Sequence, residues 1–246
     1  MYSIETHNLC KNFPQLKTYS DVVLHPFTKR EAVALRNINL KVKQGELFGL
    51  LGTNGAGKTT LLKILCTLVL PSSGCALVQG LNVKKEEKKI KRLIGYVISD
   101  ERSFYWRLTG KQNLLFFARL NNVSPEKISY LLESVGLSEL DANKWFKDYS
   151  TGMRKKLAIA RGLLTDPDIL IMDEPANGLD PLAAMRLQSL IREQLVEKQH
   201  KTVIMATHDL QQVEAICDRI AILHKGELKA SGKVGDFNLM EILSNG

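Results

Sequence analysis

Residues 52–60 read Gly-Thr-Asn-Gly-Ala-Gly-Lys-Thr-Thr, and no other stretch constrains the fold of this chain so tightly. They fill the pattern G-x-x-x-x-G-K-[ST] with Gly52, Gly57, Lys58 and Thr59 in the required places. The apolar run Leu47–Leu51 leads in as a buried strand, and Leu61 to Leu70 leads out as a helix. Between strand and helix, a glycine-rich loop can turn successive backbone N–H groups inward around a phosphate, because no side chain blocks the approach. Gly52, Asn54, Gly55, Ala56, Gly57, Lys58, Thr59 and Thr60 are therefore expected to cradle the phosphates of a nucleoside triphosphate. The amino end of the helix adds its partial positive charge. Lys58 is placed to reach the β- and γ-phosphates, and the Thr59 hydroxyl to take a position on Mg²⁺.

A second apolar run, Ile169 to Met172, ends in Asp173 and Glu174 and follows the turn-like Asp166-Pro167-Asp168. It predicts a buried strand whose carboxyl end faces the ligand side of an open α/β sheet. Asp173 is then a Mg²⁺ ligand, directly or through water, and Glu174 the base that orients and deprotonates an attacking water. Ser150 and Gly152 precede a helix-like stretch from Met153 to Leu164. Ser150 is a good N-cap and Gly152 leaves amides exposed, which makes a second anion site. Residues 176–181, Ala-Asn-Gly-Leu-Asp-Pro, form a tight turn after Glu174. Thr202 to Thr207 predicts a strand ending at His208, which can donate a hydrogen bond to a γ-phosphate or serve only a structural purpose.

The order of these segments (phosphate loop, Ser-x-Gly, Asp-Glu strand, Gly-Leu-Asp turn, Thr-His) resembles the ATP-binding subunit of an ABC transporter, from about residue 4 to about residue 232. The resemblance implies an α/β P-loop fold with a mostly parallel core sheet, an N-terminal antiparallel β part and a helical subdomain. It implies one ABC ATPase domain over 1–246, with the core in 1–98 and 154–232, the helical subdomain in 99–153 and a short tail in 233–246. It also implies ATP and Mg²⁺ as ligands, and head-to-tail pairing with a second copy or a related ATPase. Each nucleotide would lie between Gly52–Thr60 of one chain and Ser150–Gly152 of the other, with Asp180 among the contacts. Glu174, His208 and Lys58 are the expected catalytic residues. The partner is an integral membrane permease, and the expected location is the cytoplasmic face of the inner or plasma membrane.

Some details are particular to this chain. The usual signature Leu-Ser-Gly-Gly-Gln is here Tyr149-Ser150-Thr151-Gly152-Met153, and with Arg154 to Leu157 it is similar to the ABC-2 exporter class of polysaccharide, lipid or drug exporters. The family's glutamine after Ile94–Val97 is replaced by Ser99, followed by Asp100 and Glu101. An aromatic that stacks on adenine is expected near the start, with Phe13 the best match and Tyr19 and Phe27 as alternatives. The aromatics of Ser103–Leu108 either face the membrane partner or fill the helical subdomain, and Tyr105 or Trp106 is expected to touch the partner.

Composition agrees with a soluble α/β ATPase. Of 246 residues, 44% are hydrophobic and 24% charged, and no apolar run approaches the roughly 18–20 residues that span a bilayer. The N-terminus lacks the pattern of a signal peptide. Cys10, Cys66, Cys75 and Cys217 have no metal or redox spacing, and reduced thiols are expected. Much of the net charge of +8 lies in Lys84–Arg92, interrupted by Glu86 and Glu87, which reads as a solvated helix face. Without interleaved aromatics it is no nucleic-acid site. The alternative class is a soluble ABC ATPase that serves cluster assembly or the ribosome.

Overall fold

The structure, a computed structural model, describes residues 1–14, 31–98 and 103–237. Its centre is a six-stranded sheet in the order β11-β10-β4-β9-β8-β7. These strands are β4 (Leu47–Leu51), β7 (Ile94–Ile98), β8 (Ile169–Asp173), β9 (Thr202–Thr207), β10 (Arg219–His224) and β11 (Glu227–Lys233). β4 and β9 are buried along their whole length, as unbroken apolar runs must be when both faces of a sheet are covered. Every neighbouring pair is parallel except β10–β11.

Register is what builds the site. Leu51 stands opposite Thr207 and Ile222, Ala206 opposite Asp173, and Asp173 opposite Ile98. The carboxyl ends of five strands therefore finish on one line, and the loops that leave them share one edge.

The second sheet is antiparallel, with β1 (Tyr2–Pro14) between β2 (Glu31–Ile38) and β5 (Ser73–Val78), β6 (Leu81–Asn82) beyond β5, and β3 (Lys41–Lys43) also on β1. The expected mixed α/β architecture, with an antiparallel β part beside a mostly parallel sheet, is the one observed. β4 shows how the two layers share a core. Phe48 and Leu50 point into a cluster with Ile4, Leu9, Leu35 and Leu61, whereas Leu47 and Leu51 point into another with Met205, Leu114 and Phe146. Alternation along one strand thus serves both sides.

The helix after the phosphate loop runs only from Lys58 to Leu65, shorter than the expected reach to Leu70. Thr67 adopts a left-handed φ of 60°, and the N–H of Leu68 returns to the Lys63 carbonyl while that of Thr67 reaches Ile64. This is a Schellman termination made without glycine, which apolar periodicity does not reveal. Leu68 and Leu70 are left exposed. Between β7 and β8 lie the helices Gly110–Leu120, Lys127–Ser134, Glu139–Ala142 and Thr151–Gly162. The last starts before the expected Met153 because Ser150 caps it, accepting from the Met153 N–H at 3.3 Å. The basic stretch forms the helix Glu87–Leu93, which buries only Ile90 and pairs Lys89 with Glu86 and Lys91 with Glu87. Among the described residues no helix is long and apolar enough to cross a membrane.

Candidate functional site

The phosphate loop leaves β4 with the Gly52 N–H donating to the Thr207 carbonyl at 3.3 Å. At Gly52 an added Cβ would lie 2.3 Å from the Leu223 carbonyl oxygen, so backbone runs against backbone there. Gly57 is the N-cap of the helix Lys58–Leu65, with φ 106°, and a Cβ on it would sit 2.6 Å from the Ala34 carbonyl oxygen. Only glycine meets both demands. No side chain caps this helix start and no acid lies in its first turn. Its end thus suits an anion.

Lys58 is 6% exposed. Its ammonium donates to the carbonyls of Gly52 at 2.6 Å and Thr53 at 3.2 Å, and lies 3.6 Å from Glu174 Oε1. The Thr59 hydroxyl donates to Asp173 Oδ2 at 2.7 Å. Burial raises the Asp173 carboxyl above its ordinary range; the Thr59 hydrogen bond opposes that shift and the charge of Glu174 adds to it. A hydroxyl and a carboxylate side by side fit Mg²⁺, which takes one or two protein oxygens and completes its shell with phosphate and water. Among the described residues no group of three or more His, Cys, Asp or Glu gathers into an all-protein cage.

Glu174 stands just past β8 with φ 51°, and its N–H donates to the Ala206 carbonyl at 2.9 Å. A non-glycine residue held there costs about 1–3 kcal/mol, which the flanking strands must offset. The reward is direction. The carboxylate turns toward the loop, and His208 Nδ1 stands 3.0 Å from each of its oxygens.

A cleft of about 430 Å³ is lined by Thr53–Thr60 together with Asp173, Glu174, Asn177, Ile98 and Ala34. Ala34, Ile98 and Asn177 were not legible as lining residues, although Asn177 sits within the turn after Glu174. Gly52 leads into this lining, His208 lines an adjoining hollow that shares Glu174 and Asn177 with the cleft, and the other expected contacts lie elsewhere. Ser150 and Gly152 open the helix Thr151–Gly162, where a Cβ on Gly152 would meet Leu179 and the Ser150 hydroxyl no closer than 4.0 Å. Asp180 caps the helix Pro181–Ser189, accepting from the Ala183 N–H at 2.9 Å. Phe13 is exposed on β1 opposite Ala32, with the Lys11 ammonium 4.7 Å from its ring centre. Tyr19, Phe27, Ser99, Asp100 and Glu101 fall outside the described residues.

The aromatic segment divides between the two readings. Phe104 is 5% exposed and packs against Phe117 and Phe146, whereas Tyr105 and Trp106 are 50% and 48% exposed. Tyr105 meets Phe116 edge-on with ring centres 4.9 Å apart, which forms an aromatic surface beside the buried one.

Residues 35–177 match the ABC transporter family. The chain is 35% identical over 204 residues to the ABC transporter ATP-binding protein NatA of Bacillus subtilis, covering 81% of this chain and 82% of that protein. It is 35% identical over 242 residues to the bacitracin transport ATP-binding protein BcrA of Enterococcus faecalis, covering 98% and 71%. Against four further relatives the chain spans 62% to 69% of their own length. The dimeric ATP-binding cassette MJ0796, in a post-hydrolysis state bound to ADP and Pi, superposes with a TM-score of 0.80 at 26% identity, over 95% of this chain and 100% of that one.

Proposed function

The chain belongs to the ABC transporter family as an ATP-binding subunit that hydrolyses ATP to drive transport, and from that premise we propose that it powers an ABC-2-type exporter of polysaccharide, lipid or drug. The observation behind the reading is the meeting of Lys58, Thr59, Asp173, Glu174 and His208 at one edge of the sheet. Two copies, or this chain and a related ATPase, pack head to tail, so that Ser150 and Gly152 of one close over the phosphate loop of the other. That arrangement explains why these two residues stand apart from the cleft of their own chain. The dimeric form of the cassette MJ0796 supports it.

In the proposed cycle the N–H groups of Asn54 to Thr60 bind the phosphates. Lys58 exchanges its loop carbonyls for the β- and γ-oxygens. Thr59 and Asp173 hold Mg²⁺, which when bound neutralises charge on the phosphates. Phe13 stacks on adenine and Asp180 adds a contact near the paired copy. Glu174 accepts a proton from the attacking water, and His208 holds that carboxylate in line. Closure of the pair on ATP and its opening after hydrolysis move a membrane permease. The permease seats on the surface of Tyr105 and Trp106, in keeping with the aromatic character of interface hot spots. Residues 99–153 act as the helical subdomain that bears this surface, and the subunit works at the cytoplasmic face of the membrane.

BcrA is a bacitracin transport ATP-binding protein, which favours the drug among the three cargo classes for this chain. The test is recovery of the tagged chain from detergent-solubilised membranes. A stoichiometric polytopic protein supports the reading. Recovery of soluble proteins alone transfers the chain to the non-transport ABC ATPases.

A further inference from the structure

Residues 106–110 run against residues 144–147. The Lys147 N–H donates to the Trp106 carbonyl at 3.2 Å, Phe146 to Leu108 at 2.9 Å, and Gly110 to Lys144 at 3.2 Å. Asn113, fully buried, accepts from the Tyr105 N–H at 2.8 Å and donates to the carbonyls of Tyr105 and Thr109 at 3.1 and 3.0 Å. The Arg154 guanidinium lies 5.2 Å from the Trp106 ring centre and 5.5 Å from that of Phe146. The exposed aromatic surface is therefore bonded to the strand of chain that leads directly into Tyr149 and Ser150.

Tyr149 closes this connection. It is 3% exposed, and its hydroxyl donates to the Asp141 carbonyl at 2.8 Å. Burial pushes the phenol up to about 12, so it remains a donor across the physiological range. The ring passes under Gly110, the first residue of the helix Gly110–Leu120. A methyl group on Gly110 would lie 1.8 Å from the Tyr149 hydroxyl oxygen and 2.7 Å from the ring carbon that bears it. Gly110 is absent from the glycines of positive φ, so space alone demands a glycine there.

We propose that Tyr149 is a positioning residue, which couples the Ser150–Gly152 loop to the Tyr105–Trp106 surface by holding its ring beneath Gly110. Close-packed groups cannot move separately, so a shift at Ser150 passes through Tyr149 to Gly110 and on to Trp106. The inference rests on the reading above, in which Ser150 closes on a nucleotide and Trp106 faces a partner.

The chain supplies its own probe, because its two tryptophans are Trp106 and Trp145, both in this element. The experiment uses the full chain carrying Glu174→Gln, with ATP as the ligand. ATP binding is followed by equilibrium dialysis, dimer formation by size, and the element by tryptophan emission. The expected result is an ATP-dependent emission change that Tyr149→Leu abolishes while ATP binding and dimer formation persist. Tyr149→Phe, which keeps the ring, retains the change. If Tyr149→Leu fails to fold, Gly110→Ala serves in its place, since its methyl group forces the ring aside. An undiminished change in the Leu or Ala variant overturns the proposal, as does a dimer that forms on ATP without any emission change. Absence of ATP binding in the Tyr149 parent instead overturns the reading of the site on which the proposal stands.

Discussion

The imidazole of His208 holds both oxygens of the Glu174 carboxylate, with Nδ1 3.0 Å from each. β8 and β9 are neighbours, so the residues just past their ends are neighbours too. Glu174 is also near Lys58, which leaves its carboxylate between two nitrogen groups. If His208 acts by aiming Glu174, His208→Ala should lower kcat by about 10²-fold, the cost of a misplaced catalytic group, and leave KM for ATP nearly unchanged. Steady-state ATPase kinetics check this. A rise in KM with kcat intact would assign His208 to binding.

Asp173 is a site residue that opposes stability. Its carboxyl holds a proton more tightly in the fold than in the unfolded chain, chiefly through burial. The folded state therefore binds the more protons in the window above the ordinary value of 3.8, and stability falls as pH rises through it. Asp173→Asn should melt at a higher temperature than the parent at neutral pH in the absence of nucleotide, with the advantage shrinking in acid. The same variant should lose Mg²⁺-dependent ATP turnover. Melting curves at the two pH values, beside an activity assay, test both halves.

Gly57 combines a left-handed backbone with contact against the Ala34 carbonyl. Gly57→Ala should destabilise the fold by about 1–3 kcal/mol from backbone strain alone, and should also abolish ATP binding. Denaturant unfolding gives the first quantity and equilibrium dialysis the second.

Adjacent aromatics should behave in opposite ways. Phe104→Ala empties a buried ring position and should cost about 3–5 kcal/mol. Tyr105→Ala and Trp106→Ala remove half-exposed rings and should cost about 1 kcal/mol or less, while uncoupling transport from ATP turnover. Unfolding curves set against transport in the reconstituted complex separate the two roles.

Much of this site was legible because its elements are unusually explicit. Leu47–Leu51 and Thr202–Thr207 are continuous apolar runs, and each forms a strand with those bounds. The phosphate-loop pattern specifies backbone shape, so its geometry followed from glycine positions. Less legible was whatever depends on pairing distant segments. The meeting of Glu174 with His208 needs the β8–β9 register, and Asn113 reads as an ordinary helix polar residue until its carboxamide is seen closing the Tyr105–Thr109 turn. The helix end at Leu65 escaped for a local reason, since Thr67 takes a conformation usually left to glycine.

The most direct measurement is ATP turnover and dimer formation by the Glu174→Gln chain beside the parent. A general base contributes typically ~10²–10⁴-fold to rate, so the variant should lose turnover by that order, still bind ATP, and accumulate as an ATP-held dimer. Hydrolysis at the parental rate would contradict the account, because Glu174 would then not be the group that takes the proton from water.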